Sequence, residues 1–247
     1  MAQPLSPAVR RLVDKINQPA ERSKQVKIGP SEIGNSCQLC LAERLLASHH
    51  KTPREDQELS VASWIGTAAH AAIECLQVDD AAHELQVTVG EIEGIGPITG
   101  SLDYYDFDSN QIIDFKFSSK RKISGLARAY TIQEDGTALF DEYSRVSSVL
   151  KQYYVQQMLY AKGVEESLHL PVDSVSLMLV PRDATVETFE RGITELRFAY
   201  DKPAATAMLA RASEILAWAL ANPDEVDDLE SDPQCYFCNM QRGKQWI

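Results

Sequence analysis

Apolar and polar positions along the chain change period twice, from helical to alternating and back. Between Cys37 and about Ser48, Leu41, Leu45 and Leu46 recur at helical spacing. A second, Ala-rich segment over about 59–77 predicts a longer helix with Trp64, Ile65, Ile73 and Leu76 on its apolar side. Alternation begins at 84–89 and returns in parts of 97–107 and 111–117, which predicts strands. Asp108-Ser109-Asn110 is a turn signal between the last two, so a β-hairpin is expected there. Residues 118–147 are polar and irregular and predict a loop-rich excursion. Helix resumes at about 145–162, strands follow near 174–180 and 193–199, and Pro203 opens a helix of about 203–221. The run from Asp224 to Asp232 holds six acidic residues and reads as a solvated linker. At the other end, Ser6-Pro7 opens a short helix, with Ser as cap and Pro at the first helical position. Helices on both sides of a set of strands indicate an α/β domain with one sheet covered by helices. The expected organisation is a basic N-terminal helix over 1–29, a single domain over 30–240 and a tail over 241–247.

A chain of 247 residues is long enough to bury a substantial core. Lys and Arg number 24 against 36 Asp and Glu, a formal charge of −12. Such a chain is no generic polyanion binder, so any contact with nucleic acid must be local and metal-assisted. Residues 1–27 run the other way, with six basic and two acidic side chains. The opening Met-Ala-Gln-Pro-Leu-Ser-Pro has no secretory apolar region, and no segment approaches the ~20 apolar residues of a membrane span. A cytoplasmic protein with no membrane partner is expected. Four of the five cysteines form two Cys-x-x-Cys pairs, Cys37/Cys40 and Cys235/Cys238. Together they supply four thiolates for a metal; zinc is the generic reading, and a redox dithiol the competing one. Cys75, on the Ala-rich helix, reads as a buried structural thiol.

Candidate chemistry lies in the central hairpin. On a strand Asp114 and Lys116 share one face while Ile113, Phe115 and Phe117 share the other. A two-residue loop at Asp108-Ser109 places Asp103 opposite Asp114; a three-residue loop would place it opposite Phe115 and break the shared face. In the first register two carboxylates and an ammonium converge. Oxygen-rich clusters of this kind hold Mg²⁺ or Mn²⁺, and a neighbouring lysine can stabilise charge on a phosphate. Asp-x-Lys alone is commonplace and reads equally as the wet face of a surface hairpin. Gly66-x-x-x-His70-x-x-x-Glu74 puts His70 and Glu74 on one helical face, among the small residues Ala68, Ala69, Ala71 and Ala72. Gln156-x-x-x-Tyr160 repeats that spacing on a later helix. Each alone is an ordinary boundary feature.

In order, Gly-x-x-x-His, Asp, Asp-x-Lys and Gln-x-x-x-Tyr, the set resembles the RecB-like branch of the PD-(D/E)XK nuclease superfamily over about residues 30–240. The resemblance implies a restriction-endonuclease-like mixed sheet flanked by helices. It implies His70, Asp103, Asp114 and the Phe115 carbonyl as ligands of Mg²⁺ or Mn²⁺, Lys116 as the catalytic lysine, and Gln156 and Tyr160 as the supporting motif, with Glu74 reaching the metal through water. The cysteines are similar to those of the CRISPR-associated RecB-like exonucleases and of AddB-type helicase–nucleases, where an iron–sulfur cluster staples the two ends of the domain. That pattern has one cysteine early and three late. Here Cys40 stands in for the missing last cysteine, where the tail reads Gly243-Lys244. An iron–sulfur cluster is the implied cofactor, with zinc as the alternative.

The function so implied is a divalent-metal-dependent DNA nuclease, an exonuclease acting on DNA ends. Its partners would be DNA, single-stranded or with free ends, and recombination, repair or replication proteins, in the cytoplasm of a bacterium or encoded by a phage infecting one. Residues 10–27 and the run through Lys120, Arg121 and Lys122 could track the DNA backbone. Tyr104, Tyr105 and Tyr130 could stack on bases or pack in the core. His49, His50, His83 and His169 read as surface or boundary residues, and Trp64 and Trp218 as core. No Walker A sequence is present, so a coupled motor would be another chain. One rival is a non-catalytic, metal-stapled DNA-binding or adaptor protein on the same fold. The other is a zinc-ribbon interaction module, which leaves the central hairpin unexplained.

Overall fold

A computed structural model of the protein describes residues 6, 7, 9–11, 26–52, 61–75, 78–134, 138–141, 146–183, 192–235 and 238. Three strands come first, β1 (Ala81–Ile92), β2 (Gly96–Asp106) and β3 (Gln111–Ser118). A small separate ladder, β4 (Tyr130–Ile132) with β5 (Ala138–Phe140), precedes β6 (Ser174–Pro181) and β7 (Thr194–Ala199). The main sheet has five strands in the order β1-β2-β3-β6-β7. All neighbours are antiparallel except β3 and β6, which are parallel. The expected mixed sheet with flanking helices is therefore what forms. β6 is buried along nearly its whole length, as a central strand covered on both faces should be.

The helices are α1 (Pro30–Ile33), α2 (Gln38–His49), α3 (Val61–Glu74), α4 (Lys120–Leu126), α5 (Ser147–Gly163) and α6 (Lys202–Ala221). Local chemistry sets several starts. Asp201 caps α6 by accepting from the Ala204 N–H at 2.9 Å, with Pro203 in the first turn. Ser119 caps α4, accepting from the Lys122 N–H at 3.4 Å. α5 runs through the centre of the molecule and buries Leu150, Met158, Leu159 and Ala161 in the main core. α6 buries Ala205, Leu209, Ala212, Leu216 and Ala219, a stripe at helical spacing, and packs on α2, α5 and β1. Contrary to the sequence expectation, α6 is by length and composition apolar enough to cross a membrane.

Other expectations need correction. The excursion after β3 is not plain loop, because it contains α4 and the β4–β5 ladder. The acidic run forms a 3₁₀ turn over Pro223–Asp228, and its one apolar residue there, Val226, packs against Ala42 and Ala219. Trp64 and Ile65 on α3 are exposed, at 46% and 39%, and Trp218 is exposed as well, so none of the three is core. Cys75 is exposed too, not buried. At the N-terminus Ser6 Oγ accepts from the Val9 N–H at 3.4 Å, in line with its expected capping role. Most of the 1–29 segment, residues 142–145 and the 241–247 tail lie outside the described residues.

Candidate active site and metal centre

The β2–β3 hairpin pairs Asp106 with Gln111, Tyr105 with Ile112 and Tyr104 with Ile113. Carried one residue further, that register sets Asp103 opposite Asp114. The connection spans residues 107–110, longer than the two-residue loop expected, but it keeps the same register. Asp103 Oδ2 accepts a 2.8 Å bond from the Phe115 N–H. In extended backbone the N–H and C=O of one residue point to the same side, so the Phe115 carbonyl faces the same gap. Lys116 Nζ lies 2.7 Å from Asp114 Oδ2, which places both side chains on one face, and 4.8 Å from the centre of the Tyr153 ring. His70 on α3 reaches in with Nδ1 3.5 Å from Asp103 Oδ2, its ring edge-on to Phe115 and Phe117.

These groups line one open groove of about 530 Å³, a volume that takes a small ligand or part of a polymer chain. Gln156 lines it from α5, only 7% exposed, and its Nε2 donates to the Tyr160 hydroxyl at 3.4 Å. Tyr160 lies just behind, and burial pushes its phenol up to about 12. Gly100 lets it in: a Cβ there would stand 3.0 Å from Tyr160 Cε1 and from two ring carbons of Pro30.

Charge in the groove is strained in one direction. Burial, together with the Asp114 charge, pushes the Asp103 carboxyl up to about 7, against the opposing pull of the Phe115 N–H and Lys116. Burial works against the Lys116 ammonium, yet Asp114 together with Tyr153 and Asp103 outweighs it and holds the group above the usual lysine range. Two crowded carboxylates, Asp114 buried and Asp103 half-buried, with an imidazole and a backbone carbonyl beside them make a donor set that suits a hard divalent cation. His70, Asp103 and Asp114 nevertheless do not gather as tightly as a closed metal cage. Among the described residues only the cysteines place three or more His, Cys, Asp or Glu ligand atoms within 4.8 Å of one another.

Some expected residues lie elsewhere. Glu74 is exposed at the end of α3 and does not line the groove. Of the basic run, Lys122 lines it while Lys120 and Arg121 are exposed outside it. Tyr105 is fully buried, its hydroxyl donating to the Pro171 carbonyl at 2.6 Å. Tyr104 packs against His83 and Phe115, and Tyr130 against Phe198. None of these tyrosines lines the groove.

Sequence reasoning missed Glu84, Tyr153 and the α1 wall. Pairs His83–Tyr104 and Leu85–Leu102 set Glu84 at the level of Asp103 across β1 and β2, and Glu84 lines the groove. The alternation over 84–89 marks a strand but does not say what Glu84 faces. Ser31 and Glu32 of α1 form part of the rim. They are held by Gln152, which donates to the Ser31 carbonyl, and by Arg44, whose Nε lies 2.8 Å from Glu32 Oε1.

The second centre joins distant segments. Cys37 caps α2 and Cys40 lies in its first turn; Cys235 and Cys238 follow the acidic run. The Sγ separations are 3.5 Å for Cys37–Cys238, 3.5 Å for Cys40–Cys235 and 3.4 Å for Cys40–Cys238. All four side chains are buried. Burial and the neighbouring thiols push the Cys40 thiol well above the usual cysteine range. Four thiolates this close repel, and a bound cation is what lets them ionise together. Burial works against the Cys37 thiolate, but the nearby backbone N–H groups of Cys40 and Asp232 draw its thiol below the usual cysteine range. Arg211 on α6 donates to the carbonyls of Asn35 and Ser36.

No known family matches the sequence, and no curated protein matches it. By shape the chain is similar to an alkaline exonuclease, LHK-Exo, from Laribacter hongkongensis, with 12% identity and a TM-score of 0.49 over 94% of this chain and 98% of that one. A structure of LHK-Exo in complex with dAMP gives 14% identity and a TM-score of 0.49, over 90% of this chain and 96% of that one. A phage-related exonuclease from Haemophilus somnus 129PT gives 12% identity and a TM-score of 0.39, over 90% and 91%. At these values the similarity assigns no role to any residue.

Proposed function

We propose that the protein is a divalent-metal-dependent deoxyribonuclease that hydrolyses phosphodiester bonds at DNA ends. The observation that carries this reading is the convergence of Asp103, Asp114, Lys116 and His70 in one open groove, from two paired strands and the helix beside them. His70, Asp103, Asp114 and the Phe115 carbonyl are the groups that would hold Mg²⁺ or Mn²⁺. When bound, such a cation supplies positive charge against a phosphate and makes water a better nucleophile at neutral pH. Lys116 is steered by Asp114 and the Tyr153 face and presents its ammonium to the groove, where it orients the attacking water and meets charge developing on phosphate. Gln156 and Tyr160 back the site from α5 and fix its depth.

The charge balance adds a constraint. Glu32, Glu84, Asp103 and Asp114 all line the groove of a chain with net charge −12. A polyanion does not enter such a groove on electrostatics alone, so cation binding and DNA binding are coupled. Restriction to DNA with free ends follows from the family resemblance.

The test is digestion of end-labelled linear single- and double-stranded DNA, with 5′ or 3′ ends blocked in turn, in Mg²⁺ or Mn²⁺ and then in EDTA. Expected are cleavage from unblocked ends, loss in EDTA, and a fall of at least ~100-fold in Lys116→Ala. Cleavage that persists in Lys116→Ala or in EDTA would overturn the assignment. Metal-dependent binding without cleavage would select the non-catalytic DNA-binding reading.

A further inference from the structure

We propose that Cys37, Cys40, Cys235 and Cys238 hold a single zinc ion in a closed tetrahedral site, in place of the iron–sulfur cluster that the family resemblance implies. The separations decide between the two. Four thiolates around one zinc, at a Zn–S distance of about 2.3 Å, stand roughly 3.8 Å apart. In a four-iron cluster each cysteine binds its own iron at a corner of an inorganic core, which holds the ligand sulfurs on the order of 6 Å apart. Here the sulfur contacts are 3.4–3.5 Å and all four sulfurs lie within 4.8 Å of one another. That is the size of one ion, and it leaves no volume for a core of irons and sulfides.

The surroundings fix that size. The Leu39 N–H donates to the Glu230 carbonyl at 3.4 Å, Ser36 Oγ donates to Asp232, and the Cys235 N–H donates to the Asp232 carbonyl at 2.9 Å. Spreading the sulfurs to cluster spacing would pull residues 230–235 off α2 and break the first two of these bonds, while the third keeps Cys235 tied to Asp232. The ligand set is also the one zinc prefers: four thiolates, a closed shell and no open position. Against ferrous iron in the same mononuclear site, zinc stands higher in the divalent affinity order. Binding expels the thiol protons, and the resulting dianionic site is tempered by Arg211, which donates to the Asn35 and Ser36 carbonyls alongside.

The test needs no catalytic readout and does not depend on the reaction assigned to the groove. Protein produced in iron-replete cells and purified without oxygen or chelator is analysed for zinc, iron and acid-labile sulfide. Expected are one zinc per chain, no sulfide and no colour, with the absorption bands of tetrahedral thiolate-bound cobalt after Co²⁺ exchange. Cys40→Ser and Cys238→Ser should each lose most of the zinc, and Cys75→Ser should keep all of it. Iron with labile sulfide, and a brown protein, would overturn the proposal. One iron per chain without sulfide would overturn it equally.

Discussion

The sulfurs of Cys37, Cys40, Cys235 and Cys238 lie within 4.8 Å of one another and are buried, each already where an ion would need it. His70, Asp103 and Asp114 line an open groove instead, and Asp114 faces Lys116 more closely than it faces a shared centre. A metal held by the four cysteines, as proposed, would tie Cys235 and Cys238 to α2 and so serve the fold. The groove keeps charged groups crowded and incompletely compensated, which a cation and a phosphate can relieve. One is built to be finished and the other to be completed by its ligands.

The sharpest way to break this contrast is a crossed experiment. Asp114→Asn should cut nuclease activity by roughly 1,000-fold while leaving the metal content of the cysteine centre intact. Loss of that metal in Asp114→Asn would mean that the two regions are not separable. Conversely, Cys235→Ser combined with Cys238→Ser should cost on the order of 3–5 kcal/mol, lowering Tm by roughly 10 °C. A variant that melts like the parent protein would show that the staple contributes nothing to stability.

Asp103→Asn tests the strain in the groove. In the fold this carboxyl is raised to about 7 from its usual 3.8. Its ionised form is therefore penalised by folding, a penalty that builds as pH rises from about 4 to about 7 and is complete above that. Without added divalent metal the variant should be more stable than the parent by about 2 kcal/mol at pH 8 and no more stable near pH 4. Urea unfolding at the two pH values checks this; destabilisation at pH 8 would show that Asp103 is well compensated. Among the glycines the expected effects are smaller and opposite. A Cβ on Gly34 would stand 2.8 Å from the Gln152 carbonyl oxygen and from Val155 Cβ, so Gly34→Ala should lose about 1–2 kcal/mol by prising α1 from α5. Gly66, inside α3, has nothing within 4 Å of the added carbon, and Gly66→Ala should gain about 0.5–1 kcal/mol. Thermal melts of both variants read the difference.

The hairpin was legible because its pairing is local: Asp103 and Asp114 meet through a turn a few residues away, and a four-residue loop preserves the register of a two-residue one. The cysteine cluster was legible from residue type alone. What the pattern could not supply was which apolar face finds a partner. α3 has an apolar side, yet Trp64 and Ile65 stay exposed and Cys75 with them; among the described residues the main contact of that helix is a light one with β3. Glu84 was hidden for the complementary reason. Its place beside Asp103 depends on the β1–β2 register, which its own segment does not encode.

Cys37 and Cys238 are 201 positions apart and yet meet at 3.5 Å. Nothing local draws them together; the sheet, α2 and α6 must already be assembled before the fourth sulfur can arrive. With the proposed zinc, ion capture would thus be the closing event of folding, and a loaded centre would mark a finished molecule. Loss of the proposed ion would free Cys235 and Cys238 from α2, and metal supply would then set how firmly each molecule holds.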